Sequence, residues 1–119
     1  MELIFVYNAN SGFLNSIKDL LHKSVSPKTY DCNLCFLTYS GISQKEEWKT
    51  FINKFPLKAV FLHKDEFTKQ YPKYAMITYP IVFKKEKRIL KEFISAEEIN
   101  KLSGLEDLKQ LVQNKISEL

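Results

Sequence analysis

Residues 75–94, A-M-I-T-Y-P-I-V-F-K-K-E-K-R-I-L-K-E-F-I, constrain the fold of this chain more than any other stretch. Ile81, Val82 and Phe83 in the first apolar run, and Phe93 and Ile94 in the second, are β-branched or aromatic. Such side chains suit a pleated, half-buried surface. Lys84, Lys85, Glu86, Lys87 and Arg88 lie between the runs and are too charged to bury together. The pattern predicts a β-hairpin with this charged block at its tip. Pro80 has no N–H for a strand ladder and belongs at the first position of its strand.

Upstream, residues 2–7 form a short apolar run closed by Asn8, Ala9, Asn10, Ser11 and Gly12, the pattern of a buried central strand. Phe13, Leu14, Ile17, Leu20 and Leu21 then recur at helical spacing, with Asn10 or Ser11 as a natural N-cap and Pro27 beyond the helix end. Residues 24–41 carry both cysteines and no clean period. Ser43 and Glu46 have the spacing of a capping box for a helix over 44–55, in which Trp48, Phe51, Ile52 and Phe55 form one apolar stripe. Residues 58–63 read as a second buried strand, and residues 65–71 as a short helix closed by Pro72. Beyond the hairpin, Ser95 with Glu98 and Ser103 with Glu106 read as two further capping boxes. Leu105, Leu108, Leu111, Val112 and Ile116 supply the apolar face of a last helix. The order is β-α-insert-β-α-β-β-α, which implies a mixed sheet with helices on both faces.

A length of 119 residues fits one domain with a real core. Hydrophobic residues at 45% and charged residues at 27% place the chain among ordinary globular proteins. The start of the chain lacks the basic region of a signal peptide, and no apolar run is long enough to span a bilayer. These features predict a cytoplasmic protein with no membrane partner, whose two cysteines rest as thiols. The net charge of +4 is scattered among acids, and the basic block at 84–88 is explained as a solvated turn beside an aggregation-prone strand. Nucleic-acid motifs, a phosphate-binding glycine loop and a Ser-His-Asp pattern are all lacking.

Thr78-Tyr79-Pro80-Ile81-Val82-Phe83, the charged turn, the second strand and the C-terminal helix together resemble the second half of a thioredoxin-like domain. The resemblance covers about two-thirds of the chain. It implies a cis peptide before Pro80, with Tyr79 and Pro80 facing a binding groove. Residues 24–56 are then an insertion bearing a loop and a helix within a single domain spanning 1–119. In the superfamily a C-x-x-C pair directly follows the first strand. Here Asn10-Ser11-Gly12-Phe13 occupies that place, and Cys32-Asn33-Leu34-Cys35 lies in the insertion. Thioredoxin-like glutathione transferases use a hydroxyl near the start of the first helix to orient a bound thiol, and Ser11 is similarly placed; its plainer role is an N-cap.

Two thiols three positions apart can close a small disulfide ring or grip one metal ion. Redox work needs one of them as a thiolate, which a helix N-terminus just after the pair would favour. Residues 35–39 fit such a helical turn or a short strand equally well. The thiol reading makes Cys32 the nucleophile and Cys35 the resolving thiol, acting on a protein or small-molecule thiol. Cys32 takes the first role because it comes first, as the resemblance implies. Against this stands the reading of both cysteines as small core hydrophobes. A third reading joins Cys32 and Cys35 with His22 or His63, the only histidines, in a structural zinc site. A fourth is a non-enzymatic thioredoxin-like module that binds through the groove between Ser11 and Pro80.

Overall fold

The computed structural model describes residues 1–10, 32–40, 43–74 and 77–119. The central sheet contains β1 (Glu2–Tyr7), β4 (Lys58–His63), β5 (Ile81–Glu86) and β6 (Ile89–Ile94), in the order β4-β1-β5-β6. β1 and β4 are parallel, with Glu2 opposite Lys58 and Tyr7 opposite His63. β5 runs antiparallel to β1, placing Ile81 opposite Val6, and β6 returns antiparallel to β5. The parallel pairing of the two N-terminal strands and the antiparallel hairpin are those expected from the sequence.

Alternation along the strands sorts the core into two layers, because successive side chains of a strand point to opposite faces. Leu3, Phe5, Tyr7 and Val82 join one cluster; Ile4, Val6, Ile81 and Phe83 join the other. The first layer is covered by α1 (Asn33–Thr38), α2 (Glu46–Asn53), α4 (Ala96–Asn100) and α5 (Leu105–Ser117), which contribute Leu34, Leu37, Trp48, Ile99, Leu108 and Val112. The second layer is covered by α3 (Lys64–Gln70) and the 3₁₀ turn Pro72–Tyr74, through Phe67 and Tyr74. Phe67 stacks on Phe83 with ring planes 5° apart. Helices therefore lie on both faces of a mixed sheet. Among the described residues, no helix is long and apolar enough to cross a membrane.

Several local expectations are corrected. The hairpin tip is Lys87 and Arg88 alone, because Lys84, Lys85 and Glu86 continue β5. Lys85 can stay in the strand because its long stem carries the amine to Tyr71 Oη, 3.3 Å away, and to Glu2, 3.8 Å away. Lys87 takes the left-handed backbone that the tight turn requires, with φ 59°. Pro80 directly precedes β5 instead of beginning it, which leaves its missing N–H outside the ladder.

Ser43 does not cap α2. It pairs opposite Ser40 in a small hairpin of β2 (Tyr39–Ser40) and β3 (Ser43–Gln44), and Lys45 takes the cap position. The helix accordingly starts at Glu46 and ends at Asn53, short of the expected 44–55. Ser103 likewise does not cap α5. Gly104 is the N-cap, and the Ser103 hydroxyl donates to Asp107 at 2.8 Å instead of completing a box with Glu106. The box at Ser95 is present: Ser95 Oγ accepts the Glu98 N–H at 3.1 Å, and Glu98 accepts the Ser95 N–H at 3.0 Å. The first helix expected after β1 lies outside the described residues.

Candidate functional site

Cys32 and Cys35 are joined by a disulfide, with Cα atoms 5.3 Å apart. The sequence leads to an expectation of thiols at rest; the structure holds the pair in its disulfide form. The physical reason is local: residues 33–38 are helical, not irregular, and a helical turn brings positions three apart onto one side. Their Cα separation falls within the range that a disulfide can bridge. Cys32 is the N-cap of α1, and its Sγ accepts the backbone N–H of Cys35 at 3.2 Å. The helix N-terminus looked for beside the pair is thus built around it. The Phe36 N–H adds a bond to the Cys32 carbonyl at 3.1 Å.

The disulfide is buried: Cys32 is 1% exposed and Cys35 6%. Both belong to the layer formed by Tyr7, Ala9, Ile94 and Ile99. The residue between the cysteines that matters most to their placement is Asn33. Its Nδ2 donates to the Ile99 carbonyl at 2.7 Å and to the Leu102 carbonyl at 3.0 Å, tying the start of α1 to the end of α4. Nothing in the local sequence singles out this asparagine, since both acceptors lie more than sixty positions away. At the other end of α1, the buried Thr38 hydroxyl donates to the Leu34 carbonyl at 2.7 Å.

The end of β1 carries a buried polar group beside this helix. Tyr7 is 1% exposed, and its hydroxyl accepts the Gln44 amide at 3.1 Å. Burial, followed by the neighbouring Tyr39, pushes the Tyr7 phenol well above its ordinary pKa, so it stays neutral. Tyr7 meets Tyr39 edge-on and lies beside His63 with ring centroids 5.6 Å apart.

Other candidates are distributed differently. The Tyr79–Pro80 peptide is cis, and Pro80 is buried where β5 begins, at the end of the sheet where β1 finishes. Tyr79 packs with Phe67 on the face of the sheet opposite the cysteine layer. Its hydroxyl oxygen is buried without a hydrogen-bond partner among the described residues, and burial raises its pKa. Ser11 and His22 lie outside the described residues.

His63 precedes α3, with Nδ1 2.6 Å from Glu66 Oε1. The His63 backbone N–H bonds the same oxygen and is the largest cause of a lowered Glu66 pKa, followed by the imidazole itself. His63 is thus engaged at the cap of α3. Among the described residues, no group of three or more His, Cys, Asp or Glu side chains could hold a metal ion. In the disulfide form neither sulfur is free to bind a metal ion, and His22 lies outside the described residues. No family model, curated protein or solved structure matches the chain.

Proposed function

We propose that the chain is a thioredoxin-like protein of the cytoplasm that exchanges disulfides through Cys32 and Cys35. The carrying observation is the C-x-x-C pair closed at a helix start, with the Cys35 N–H directed at Cys32 Sγ at 3.2 Å. In the reduced protein that N–H would stabilise a Cys32 thiolate, as hydrogen bonding to a charged form does in general. Cys32 is therefore the nucleophile and Cys35 the resolving thiol. Further support comes from the strand order β4-β1-β5-β6 and the cis Tyr79–Pro80 bond at the end of the sheet where β1 finishes.

The Cys32 thiolate attacks one sulfur of a partner disulfide, releasing the partner's other sulfur as a thiolate that takes up a proton. Cys35 then loses its proton and attacks Cys32 in the mixed disulfide, freeing the second partner sulfur, which is also protonated. Two electrons pass to the partner, and the protein is left with its Cys32–Cys35 disulfide. In a cytoplasm that keeps thiols reduced, this closed form is the oxidised half of the cycle.

The test is the pH dependence of alkylation in the reduced protein, beside Cys32→Ser and Cys35→Ser. One thiol should react well below the ordinary cysteine pKa of about 8.5, and the dithiol should oxidise in a glutathione buffer between roughly −200 and −270 mV. Two thiols that alkylate independently at the ordinary pKa would exclude the exchange reading. The low exposure of the disulfide favours a second reading, a non-enzymatic thioredoxin-like binding module cross-linked by a structural disulfide. On that reading the disulfide resists a glutathione buffer entirely.

A further inference from the structure

We infer that Asn33 is a positioning residue that holds the Cys32–Cys35 pair in its oxidised geometry by fastening the disulfide loop to the C-terminal helices. The inference deepens the exchange reading and rests on it for its biological use. The loop closed by the disulfide encloses Asn33 and Leu34. Leu34 is fully buried in the first core layer. Asn33 spends both hydrogens of its amide on carbonyls of another part of the fold, at 2.7 and 3.0 Å. Ile99 O also accepts the Leu102 N–H at 3.1 Å and the Lys101 N–H, so Asn33 joins a carbonyl at which the end of α4 closes. Leu102 lies just beyond α4, where helix-end carbonyls need outside donors.

Both enclosed residues are therefore held, one by hydrogen bonds and one by packing. Reduction requires the two sulfurs to part from bonding distance to a non-bonded separation of roughly 3.5–4 Å. To the extent that the loop widens as the sulfurs part, the fastened Asn33 and Leu34 oppose it, through two hydrogen bonds and the burial of Leu34. The fastening disfavours the dithiol relative to the disulfide. A side chain at position 33 that cannot reach Ile99 and Leu102 removes this bias.

The experiment equilibrates the full-length protein with dithiothreitol redox buffers and measures the fraction oxidised. The reagent's thiolate attacks one sulfur and its second thiol displaces the mixed disulfide. The reagent closes to its cyclic disulfide, and two electrons and two protons pass to Cys32 and Cys35. Asn33→Ala should make reduction about tenfold more favourable, a shift of about 30 mV for this two-electron couple. Asn33→Ser should give a smaller shift in the same direction. Thr38→Val removes a hydrogen bond at the far end of the same helix. It should lower Tm yet leave the redox equilibrium within twofold of wild type.

The inference is overturned if Asn33→Ala changes the equilibrium less than twofold, or if Thr38→Val shifts it equally. It is also overturned if neither Asn33 variant folds, since the residue is then a structural tie only. The readout does not depend on exchange activity. A normal shift in a protein whose thiols alkylate independently would reject the exchange reading alone. An unshifted Asn33→Ala in a protein with coupled, low-pKa thiols would reject the role of Asn33 alone.

Discussion

Trp48 meets Phe5 edge-to-face, with ring centroids 5.7 Å apart and ring planes at 84°. This contact joins α2 to the central strand, and the Trp48 side chain is fully buried there, stacked also on Phe51 at 5.6 Å. Trp48→Ala should cost about 3–5 kcal/mol, measured by denaturant unfolding. Trp48→Phe should cost far less, because it keeps most of the ring burial. It also removes an indole N–H that has no hydrogen-bond partner among the described residues. As the sole tryptophan, Trp48 reports its own environment. Emission at the wavelength of a solvated indole would contradict this packing.

The disulfide closes a loop with a sequence separation of 3, the short end of the range. Chain entropy for so small a loop predicts about 2 kcal/mol of stabilisation. Reduction of the wild type, or Cys35→Ser, should lower the unfolding free energy by about that amount. A loss near zero would mean that the reduced chain keeps the loop closed without the bond.

The Ser95–Glu98 cap makes stability depend on pH in a definite direction. The Ser95 backbone N–H, and to a smaller extent Lys115 at 3.1 Å, hold the Glu98 carboxyl below its ordinary pKa of 4.5. A depressed folded pKa means that the unfolded chain binds the proton more readily. The contribution is therefore fully present above about 4.5 and fades as pH falls through the lower folded value. Glu98→Gln should lower Tm near neutrality, where the carboxylate's contribution is fully present, and flatten the acid limb of a Tm-versus-pH curve below pH 4.5, so that the variant and the wild type converge in acid. Ser95→Ala should cost about 1 kcal/mol at pH 7 through the lost cap. An unchanged acid limb in Glu98→Gln would reject the assignment.

Gly104 caps α5 with an extended backbone, φ −156° and ψ 167°, that any residue can adopt. A Cβ added there would meet nothing within 4 Å. Gly104→Ser should therefore stabilise the protein by about 0.5 kcal/mol, through a side-chain cap and a less flexible unfolded chain. A fall in Tm would show that position 104 needs glycine for a reason beyond its cap geometry.

The sequence by itself determined the four strands of the main sheet, the apolar stripes of α2 and α5, and the cap at Ser95. Each of these is a short apolar or β-branched run, a pattern near 3.6, or a pair of residues three apart, so a few neighbouring residues contain the whole signal. The tertiary structure decided the rest. Ser43 and Ser103 have the same spacing to a glutamate as Ser95, yet Lys45 and Gly104 take the cap positions. Ser43 is drawn into a strand pair with Ser40, and the Ser103 hydroxyl turns to Asp107 beside a glycine that takes the cap. Lys84 and Lys85 read as turn residues, yet Lys85 finds Glu2 and Tyr71 and the strand runs on. The cysteine segment showed no period because it is held from outside. A six-residue helix is too short to be stable alone. Its place comes from Leu34 and Leu37 entering the core layer and from Asn33 reaching carbonyls of Ile99 and Leu102. Bonds between residues so far apart in the chain leave no local pattern, and only the folded sheet and its helices bring the partners within reach.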